Sequence, residues 1–296
     1  MNILLTGGTG YLGSHLAGAF VAAGNRVVVL KRRNSDLSRL GDLLPGLKLY
    51  DLEQGGLVTA FHDVRFDVVV HTAACYGRDG ESPGEVFAAN TGFSLQLLEA
   101  AVAAGTPLFV NTDTSLDRFL NPYALSKKQF REWGFYFASQ ERIRFVNVLL
   151  EHFYGPNDAE SKFVSQVIRR CLRDEPEMRL TAGTQRRDFI FIDDVVAAYL
   201  QLVRHACPDG PAFQDYGLGS GTAVPIRDLV MMIKDLTGSE ISLNFGAVPL
   251  RYNEVMESLA DIGALRSLGW QPQVSLATGL AYSIKMEKRL MERKKI

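Results

Sequence analysis

The sequence predicts an α/β fold in which a mostly parallel sheet carries helices on both faces. Two observations lead to this prediction. In residues 1–150, short apolar runs typical of buried strands alternate with stretches whose apolar residues recur at helical spacing. Residues 3–5 are the first such run, and a glycine-rich stretch, residues 6–13, joins it to the helical pattern of residues 14–21. A glycine-rich corner between the first strand and the first helix is typical of a doubly wound, Rossmann-type sheet.

The glycine-rich stretch has the sequence TGGTGYLG and fits the spacing of a dinucleotide-binding loop. Gly7, Gly10 and Gly13 are spaced three residues apart, and Gly8 completes the pattern G-x-G-x-x-G with the last two. Without side chains, the backbone can approach a pyrophosphate, whose charge the N-terminus of the following helix stabilises. A plain tight turn also uses glycine, but the position between a strand and a helix favours a dinucleotide. The expected cofactor contacts of this loop are Gly7, Thr9, Gly10, Tyr11, Leu12 and Gly13.

The composition argues against several classes of protein. The 296 residues include 32 basic and 33 acidic side chains, so no overall charge would attract nucleic acid or a membrane surface. We find no apolar run near the ~20 residues that a membrane span needs, and the first strand starts too early to follow a signal peptide. Cys75, Cys171 and Cys207 lack the spacing of a metal site. We expect a cytoplasmic protein with no bound metal.

The second predicted strand, residues 26–30, ends in three cations, Lys31, Arg32 and Arg33. In dinucleotide-binding folds the residue that closes this strand meets the adenosine ribose, and an acidic side chain there binds the ribose hydroxyls. Cations at this corner can instead pair with a 2′-phosphate. The corner therefore favours NADP(H) over NAD, and a solvated basic loop is the alternative that the residues leave open.

Two further predicted strands, residues 47–50 and 66–70, bring more cofactor contacts to the same edge of the sheet. We expect an acidic residue and a leucine after the first strand to lie near the adenine. Small residues after the second strand allow a cofactor to pass close over the sheet, and His71 before them is expected to be structural. The expected contacts are Asp51, Leu52, Thr72, Ala73 and Ala74.

The fifth predicted strand, residues 108–110, runs into a hydroxyl-rich stretch that includes Thr112. Eleven residues further on comes Tyr123, followed by Lys127. A tyrosine and a lysine four residues apart share one face of a helix. The nearby ammonium favours the phenolate and so adjusts a phenol with an ordinary pKa near 10 for acid–base work. Together with the preceding threonine, this pair predicts a catalytic site.

These motifs resemble those of the extended short-chain dehydrogenase/reductases of the nucleotide-sugar epimerase/dehydratase group. The resemblance extends over nearly the whole chain and includes TGGTGYLG, HTAA at 71–74, Asn90-Thr91-Gly92, YALSK at 123–127, YGP at 154–156, RRDFIFIDDV at 186–195 and LGWQP at 268–272. It implies that Thr112 holds the reacting sugar oxygen and that Tyr123 exchanges its proton. Lys127 would lower the pKa of Tyr123 and grip the nicotinamide ribose, and Asn90 would also contact the cofactor.

The resemblance further implies a smaller, discontinuous C-terminal domain for the substrate. Residues 1–150, with about 185–207, would form the NADP-binding domain, and residues 151–184 and 208–296 the domain that binds the nucleotide sugar. The expected substrate contacts are Thr112, Asp113, Thr114, His152, Arg187 and Arg251.

The two arginines match positions that hold the diphosphate or the nucleotide in this family, and a guanidinium binds phosphate with two parallel hydrogen bonds. Pairing with Asp188 or Glu254 at the surface is the alternative that remains open.

Three departures from the family pattern bear on function. Lys31 replaces the acidic residue that is common after the second strand. Leu149 and His152 stand where many members have an arginine and an asparagine, although His152 can donate in place of the amide. Thr114 replaces the glutamate that follows Thr-Asp in the sugar 4,6-dehydratases, so water elimination lacks its second acid–base group.

The pattern is most similar to that of family members that reduce CDP-linked 4-keto sugars. We expect a homodimeric, NADPH-dependent reductase of the 4-keto group of a nucleotide-activated 4-keto-6-deoxy or 3,6-dideoxy hexose, CDP-linked, in the deoxysugar biosynthesis of lipopolysaccharide O-antigen. A nucleotide-sugar 4-epimerase with tightly held NAD is the first alternative. A non-catalytic NADP-binding regulator is the second.

Overall fold

The computed structural model describes residues 1–205 and 210–293, so Cys207 lies outside the described residues. The strands are β1 (Asn2–Thr6), β2 (Arg26–Lys31), β3 (Lys48–Asp51), β4 (Val68–His71), β5 (Leu108–Thr114), β6 (Arg144–Leu150), β7 (His152–Tyr154), β8 (Glu177–Leu180), β9 (Arg186–Phe191), β10 (Phe213–Leu218), β11 (Ala223–Pro225), β12 (Ser242–Phe245) and β13 (Glu257–Ser258). The helices are α1 (Tyr11–Ala22), α2 (Gly56–Asp63), α3 (Pro83–Phe87), α4 (Phe93–Ala103), α5 (Pro122–Ser139), α6 (Phe163–Leu172), α7 (Ile192–Arg204), α8 (Ile226–Thr237), α9 (Gly263–Ser267) and α10 (Leu276–Arg293).

The main sheet confirms the predicted fold class. Its strand order is β10-β6-β5-β4-β1-β2-β3, and the pairs from β6 to β3 are parallel. The strand order reverses between β1 and β4, and ligands of such sheets bind outside the carboxyl ends of the strands at that reversal. Thus the ends of β1, β4 and β5 mark where a site is expected.

The strand β5 is longer than its apolar run predicts. It continues to Thr114, which pairs with Leu150 at the end of β6. The extension is caused by pairing with β6. Backbone hydrogen bonds between the two strands hold these polar residues in strand conformation, although their intrinsic strand propensity is weak. The polar stretch is therefore part of the sheet, which fixes the direction of each of its side chains.

The core of the main sheet is closely packed around aromatic rings. The rings of Phe109 and Phe145, on adjacent strands, stack with centroids 5.3 Å apart. A Cβ atom on Gly134 would lie 2.3 Å from the Phe145 ring, so only glycine lets α5 pack this closely on the sheet. This packing fixes the position of α5 relative to β5 and β6.

His71 connects the strands β1 and β4 with the helix α4, which is a structural role. It is fully buried, and its ring nitrogens hydrogen-bond to the hydroxyls of Thr6, at 2.6 Å, and Ser94, at 2.8 Å. Burial holds the pKa of His71 well below its usual range. The neutral ring thus ties the end of β4 to β1 and α4.

The chain divides into two compact units. The first comprises residues 1–150 and 196–217, and the second comprises residues 151–195 and 218–296. The second unit contains the strand order β11-β9-β13, with β7 beside β9, and the parallel pair β12-β8. The chain returns to the first unit at residue 196 rather than at about 185, and the predicted boundary between 207 and 208 lies outside the described residues.

The sequence predicts no apolar segment long enough to cross a membrane, but one helical segment meets the criteria of length and composition. Residues Pro83–Ala103 are long and apolar enough by length and composition, with a mean hydropathy of 1.2. A buried helix of a protein core meets the same criterion, and 39% of the apolar window is buried. The segment is therefore weak evidence for a membrane span.

Candidate active site

The glycine loop packs against the end of β4. Gly7 adopts a left-handed backbone with φ of 70°, and a Cβ atom there would lie 2.6 Å from the backbone nitrogen of Ala73. A Cβ atom on Gly13 would lie 2.1 Å from the carbonyl oxygen of Gly7. The side chain of Thr72 donates to the carbonyl of Thr6 at 2.8 Å. The structure thus brings together the predicted cofactor contacts that follow β1 and β4.

The N-terminus of α1 is suited to an anion. Gly10 occupies the cap position, and no side chain caps the helix. The first N–H groups of a helix lack intrahelical acceptors, and together with the helix dipole they attract phosphate. Thr9 and Tyr11 are half-buried beside this turn, whereas the side chain of Leu12 is buried in the core. A cofactor contact of Leu12 would therefore involve its backbone.

The basic corner after β2 carries acidic partners that the sequence interpretation did not include. The ammonium of Lys31 lies 3.6 Å from the carboxylate of Asp51, and the backbone N–H of Arg33 donates to Glu53 at 2.8 Å. Lys31 is therefore not a free cation. Arg32 is exposed, and within residues 1–205 and 210–293 no ion pair involves its guanidinium. Leu52, expected near the adenine, packs partly buried against the core.

Asn90, an expected cofactor contact, also connects two parts of the first unit. Its side chain is fully buried, donates to the carbonyl of Cys75 at 2.8 Å and to the hydroxyl of Ser126 at 3.0 Å, and accepts from the N–H of Cys75 at 2.7 Å. These bonds use both amide donors and the amide oxygen. Asn90 therefore positions α5 and the loop that follows Ala74.

Lys127 is a buried cation. It is 1% exposed on α5, whose first turn is capped by Asn121, and its Nζ atom has no hydrogen-bond partner among the described residues. Burial lowers the pKa of Lys127 from 10.5 to about 8, although the carboxylate of Asp113 opposes this shift. An ammonium held in this way has three donors left for a ligand.

Tyr123 lies one turn before Lys127 on α5, but its pKa moves opposite to the expectation. Burial, with the nearby Tyr76 and Asp113, raises the pKa of Tyr123 above its usual value. The side chain of Thr114 opposes the rise, whereas Lys127 is not among the causes. The expectation that Lys127 lowers this pKa is therefore wrong for the protein alone. Consequently Tyr123 is a neutral phenol at neutral pH, which is the form that donates a proton.

The hydroxyls of β5 both lie near tyrosines. The Thr112 hydroxyl lies 2.6 Å from that of Tyr199 on α7, and the side chain of Thr114 is near enough to Tyr123 to affect its pKa. Thr112 is half-buried, whereas Thr114 is buried. Thr114 thus presents a hydroxyl, and not a carboxylate, near the phenol of Tyr123.

Asp113, expected to touch the substrate, is instead enclosed in the protein. Its side chain is 0% exposed and lies 3.3 Å from the ammonium of Lys128. It also accepts from the amide of Asn147 at 3.0 Å and from the N–H of Thr114 at 2.7 Å. Successive side chains of a strand point to opposite sides, so Asp113 cannot share the direction of its two threonine neighbours. Asp113 is therefore held inside the protein, and its expected substrate contact stays a prediction.

Sequence reasoning missed three residues around this edge: Lys128, Asn147 and Tyr199. Asn147 gave a usable signal, because a lone amide within the apolar run of β6 implies a buried polar partner. Asn147 also donates to Asp215 at 2.8 Å. The other two residues fit ordinary helical patterns, so nothing in the sequence distinguishes them.

In the second unit, two of the three predicted substrate residues contact carboxylates. Arg187 donates to Glu254 at 2.6 Å, which is one of the alternatives that the sequence left open. His152 Nδ1 lies 3.3 Å from the carboxylate of Glu151. Arg251 is exposed, and no ion pair of its side chain occurs in the described part of the chain. The structure therefore holds Arg187 in place with a carboxylate and leaves Arg251 in solvent.

The described residues form no candidate metal site. Among residues 1–205 and 210–293, no group of three or more histidine, cysteine, aspartate or glutamate side chains could hold a metal ion. Cys75 and Cys171 are free thiols, and burial raises the pKa of each.

Known proteins share this sequence pattern and fold. Residues 3–219 match the NAD dependent epimerase/dehydratase family. CDP-abequose synthase from Salmonella muenchen is 30% identical over 292 residues, which cover 96% of this chain and 97% of that protein. The structure of UDP-glucose 4-epimerase from Thermotoga maritima with UDP-glucose has a TM-score of 0.86 and 24% identity, covering 98% of this chain and 100% of its own. MoeE5 in complex with UDP-glucuronic acid and NAD has a TM-score of 0.84 and 28% identity, with the same coverage.

The doubly wound sheet, its glycine loop and the tyrosine–lysine helix beside β5 are those of an extended short-chain dehydrogenase/reductase. More narrowly, the chain belongs to the NAD dependent epimerase/dehydratase family, since the match covers most of its length.

Proposed function

We propose that this protein reduces the 4-keto group of a nucleotide-activated 4-keto-6-deoxy or 3,6-dideoxy hexose, with NADPH as the reductant. The observation that carries the proposal is the buried ammonium of Lys127, which has no partner in the described protein and lies one helical turn from Tyr123. Burying a charge without a partner is costly, so the position is explained by a ligand that supplies acceptors. The ribose hydroxyls of a nicotinamide cofactor are such acceptors.

The first unit fits such a cofactor at three places. The uncapped N-terminus of α1 suits its pyrophosphate, Lys127 suits its nicotinamide ribose, and Arg32 suits a 2′-phosphate. NADPH, when bound, supplies the hydride that reduces the keto carbon. The second unit, with His152, Arg187 and Arg251, would bind the nucleotide sugar.

The protein supplies the proton and holds the oxygen. Reduction of the ketone adds one hydride to carbon and one proton to oxygen, which gives an alcohol and oxidises NADPH to NADP⁺. Tyr123 is protonated at neutral pH, since even an ordinary phenol has a pKa near 10, and it gives its hydroxyl proton to that oxygen. The Thr112 hydroxyl donates a hydrogen bond to the same oxygen and stabilises the charge that develops there.

Thr114 supports reduction over water elimination. Elimination from a hexose needs a further acid–base group beside the tyrosine, and here the nearby side chain is the hydroxyl of Thr114. Reduction divides its two transfers between cofactor and tyrosine, so it needs no such group. The 30% identity with a CDP-abequose synthase supports a CDP-linked substrate and a place in the deoxysugar biosynthesis of O-antigen.

A 4-epimerase is the second candidate, supported by the likeness to MoeE5, whose structure contains NAD and UDP-glucuronic acid. An epimerase would use the same tyrosine, lysine and threonine but would return its hydride to the sugar. It would therefore leave NADPH unchanged at steady state.

The proposal is tested by a panel assay. NADPH absorbance is followed with CDP-, dTDP-, GDP- and UDP-linked 4-keto-6-deoxy hexoses, and Tyr123→Phe serves as the inactive control. We expect oxidation of NADPH with the CDP-linked sugar. No oxidation with any sugar would contradict the proposal.

We also propose that the protein is a cytoplasmic homodimer. Trp133 and Tyr136 on α5 are exposed by 42% and 49%, and exposed aromatic surface of this kind is commonly buried against a partner. Light scattering should give about twice the chain mass of 32.7 kDa, and Trp133→Glu should reduce it to that mass. A wild-type protein at 32.7 kDa would contradict this.

A further inference from the structure

Tyr199 is wholly buried in the first unit, and its polar atom reaches the candidate site. The side chain is 0% exposed, and its hydroxyl oxygen lies 2.6 Å from Oγ1 of Thr112. Within residues 1–205 and 210–293, this is the hydrogen bond that the structure gives the Tyr199 hydroxyl. The reaction proposed above does not use Tyr199.

The different acidities of the two hydroxyls favour one direction for this hydrogen bond. Each hydroxyl has one proton and two lone pairs, and a phenol is a stronger acid than an aliphatic alcohol. A buried donor without an acceptor is costly, and Oγ1 of Thr112 is the acceptor at hand. The favoured direction is donation from the Tyr199 hydroxyl to Thr112. The proton of Thr112 is then left for a different acceptor.

We propose that Tyr199 is a positioning residue that directs the hydroxyl proton of Thr112 towards the oxygen of the reacting ketone. This inference rests on the proposed function, in which Thr112 donates to that oxygen. With one lone pair of Oγ1 occupied, the proton of Thr112 has no acceptor on the Tyr199 side and points away from the buried phenol. Thr112 is half-buried, so the opposite side is open to a ligand.

The pair also adjusts the strength of the donated hydrogen bond. Hydrogen bonds in a chain polarise one another, so donation from Tyr199 makes the Thr112 proton a better donor. The benefit is greatest when negative charge develops on the ketone oxygen, because bonds to charged acceptors are the stronger ones. Tyr199 should thus affect kcat more than substrate binding.

Tyr199→Phe keeps the ring and removes only the hydroxyl. In the NADPH oxidation assay we expect kcat to fall about fivefold to tenfold, which is roughly the contribution of one neutral hydrogen bond. KM for the keto sugar should stay within twofold, and so should the calorimetric dissociation constant of the product nucleotide sugar. Tyr154→Phe is the matched control, since it removes another buried hydroxyl, which donates to the carbonyl of Leu276 at 3.1 Å. It should leave kcat unchanged.

A double-mutant cycle with Thr112→Val separates positioning from a structural role. If Tyr199 acts through Thr112, Tyr199→Phe should not slow the reaction further once Thr112→Val is present. A structural role would instead lower the Tm of Tyr199→Phe without changing kcat, or the two losses in kcat would multiply. Either result would overturn the proposal.

Thr112→Ser provides a test that does not depend on the folding of Tyr199→Phe. Serine keeps the hydroxyl but lacks the methyl group that restricts its rotation, so Tyr199 alone must orient it. We expect kcat within about twofold of wild type, and a loss as large as that of Thr112→Val would overturn the proposal. An inactive wild-type enzyme would contradict the proposed function itself. An active wild type that Tyr199→Phe does not slow would contradict this inference alone.

Discussion

The carboxylate of Asp51 lies 3.6 Å from the ammonium of Lys31, at the end of the two adjacent strands β3 and β2. This ion pair changes how the basic corner is interpreted. Lys31 is partly neutralised. Hydrogen bonding with Glu53 holds the pKa of Asp51 below its usual value, and the charges of Lys31 and Arg33 contribute. Arg32 and Arg33 are exposed, and no ion pair of either guanidinium occurs in the described part of the chain, so both remain available to a 2′-phosphate.

We therefore expect NADPH to be preferred over NADH by about tenfold or more, with Arg32 and Arg33 as the main causes. Arg32→Ala combined with Arg33→Ala should remove most of the preference, and Lys31→Ala should remove less. Asp51→Asn should strengthen NADPH binding, because it frees Lys31. The ratios of kcat/KM for the two cofactors measure this.

The control for cofactor selectivity is KM for the sugar, which these substitutions should leave unchanged. Equal use of both cofactors by the wild type would mean that the corner is a solvated loop. A larger effect of Lys31→Ala than of the combined arginine substitutions would contradict the role given to the ion pair.

Tyr123→Phe should remove catalysis and preserve binding. The substitution deletes the proton that the ketone oxygen needs, so kcat should fall by a factor of ~10² or more while KM changes little. Tyr50→Phe is the control, since its hydroxyl donates to Asp63 at 2.6 Å on the surface of the first unit. A Tyr123→Phe variant within threefold of wild type would rule out the proton transfer.

Lys127 should make stability depend on pH. Its pKa is about 8 in the folded protein and 10.5 in the reference state, so between these values the unfolded chain binds more protons. The free energy of unfolding then rises with pH over that window, and the cost of the buried ammonium is present in full below pH 8. Relative to Lys127→Met, the wild type should gain about 3 kcal/mol between pH 7 and pH 10.5.

Urea unfolding of both variants without ligand measures this difference. Lys285→Met, on the exposed side of α10, is the control and should show no pH-dependent difference from wild type. A constant difference between wild type and Lys127→Met across this pH range would mean that the ammonium is not desolvated. Lys127→Met should in addition weaken NADPH binding.

Arg187 should control the KM of the nucleotide sugar. Arg187→Ala should raise it at least tenfold, because a charge-assisted hydrogen bond contributes roughly 1.5–3 kcal/mol. Arg251→Ala should act in the same direction. Glu254→Gln should lower KM, since the carboxylate competes with a phosphate for the guanidinium.

Arg186→Ala is the matched control, because this neighbour pairs with Glu257 and should leave KM unchanged. NADPH affinity should be unaffected in all these variants. A fall in NADPH affinity on loss of Arg187 would assign this residue to the other site.

Much of the first unit could be predicted because local patterns and global fold agree there. The glycine loop, the order of apolar strands and the Tyr123–Lys127 spacing are local features, and each one is visible in a short window. The direction of a side chain is not local. That Asp113 points to Lys128 depends on where the strand β5 continues, and the polar residues at its end concealed that continuation.

Partners from distant positions were beyond the reach of sequence patterns. Tyr199 meets Thr112, and Glu254 meets Arg187, across 87 and 67 positions. The pKa of Tyr123 is likewise set by burial, which depends on packing rather than on the lysine one turn away. Long-range contacts and desolvation thus account for the features of the site that could not be predicted from the sequence.

In the proposed reaction, hydride moves from NADPH to the sugar and does not return to the cofactor. Isotope transfer tests this most directly. The protein is incubated with NADPH carrying deuterium at the transferred position and with a CDP-linked 4-keto-6-deoxy hexose. We expect one NADPH to be oxidised for each sugar reduced, with deuterium at C4 of the product in equal amount. Product that forms with no deuterium and no loss of NADPH would contradict the reductase and would leave the epimerase.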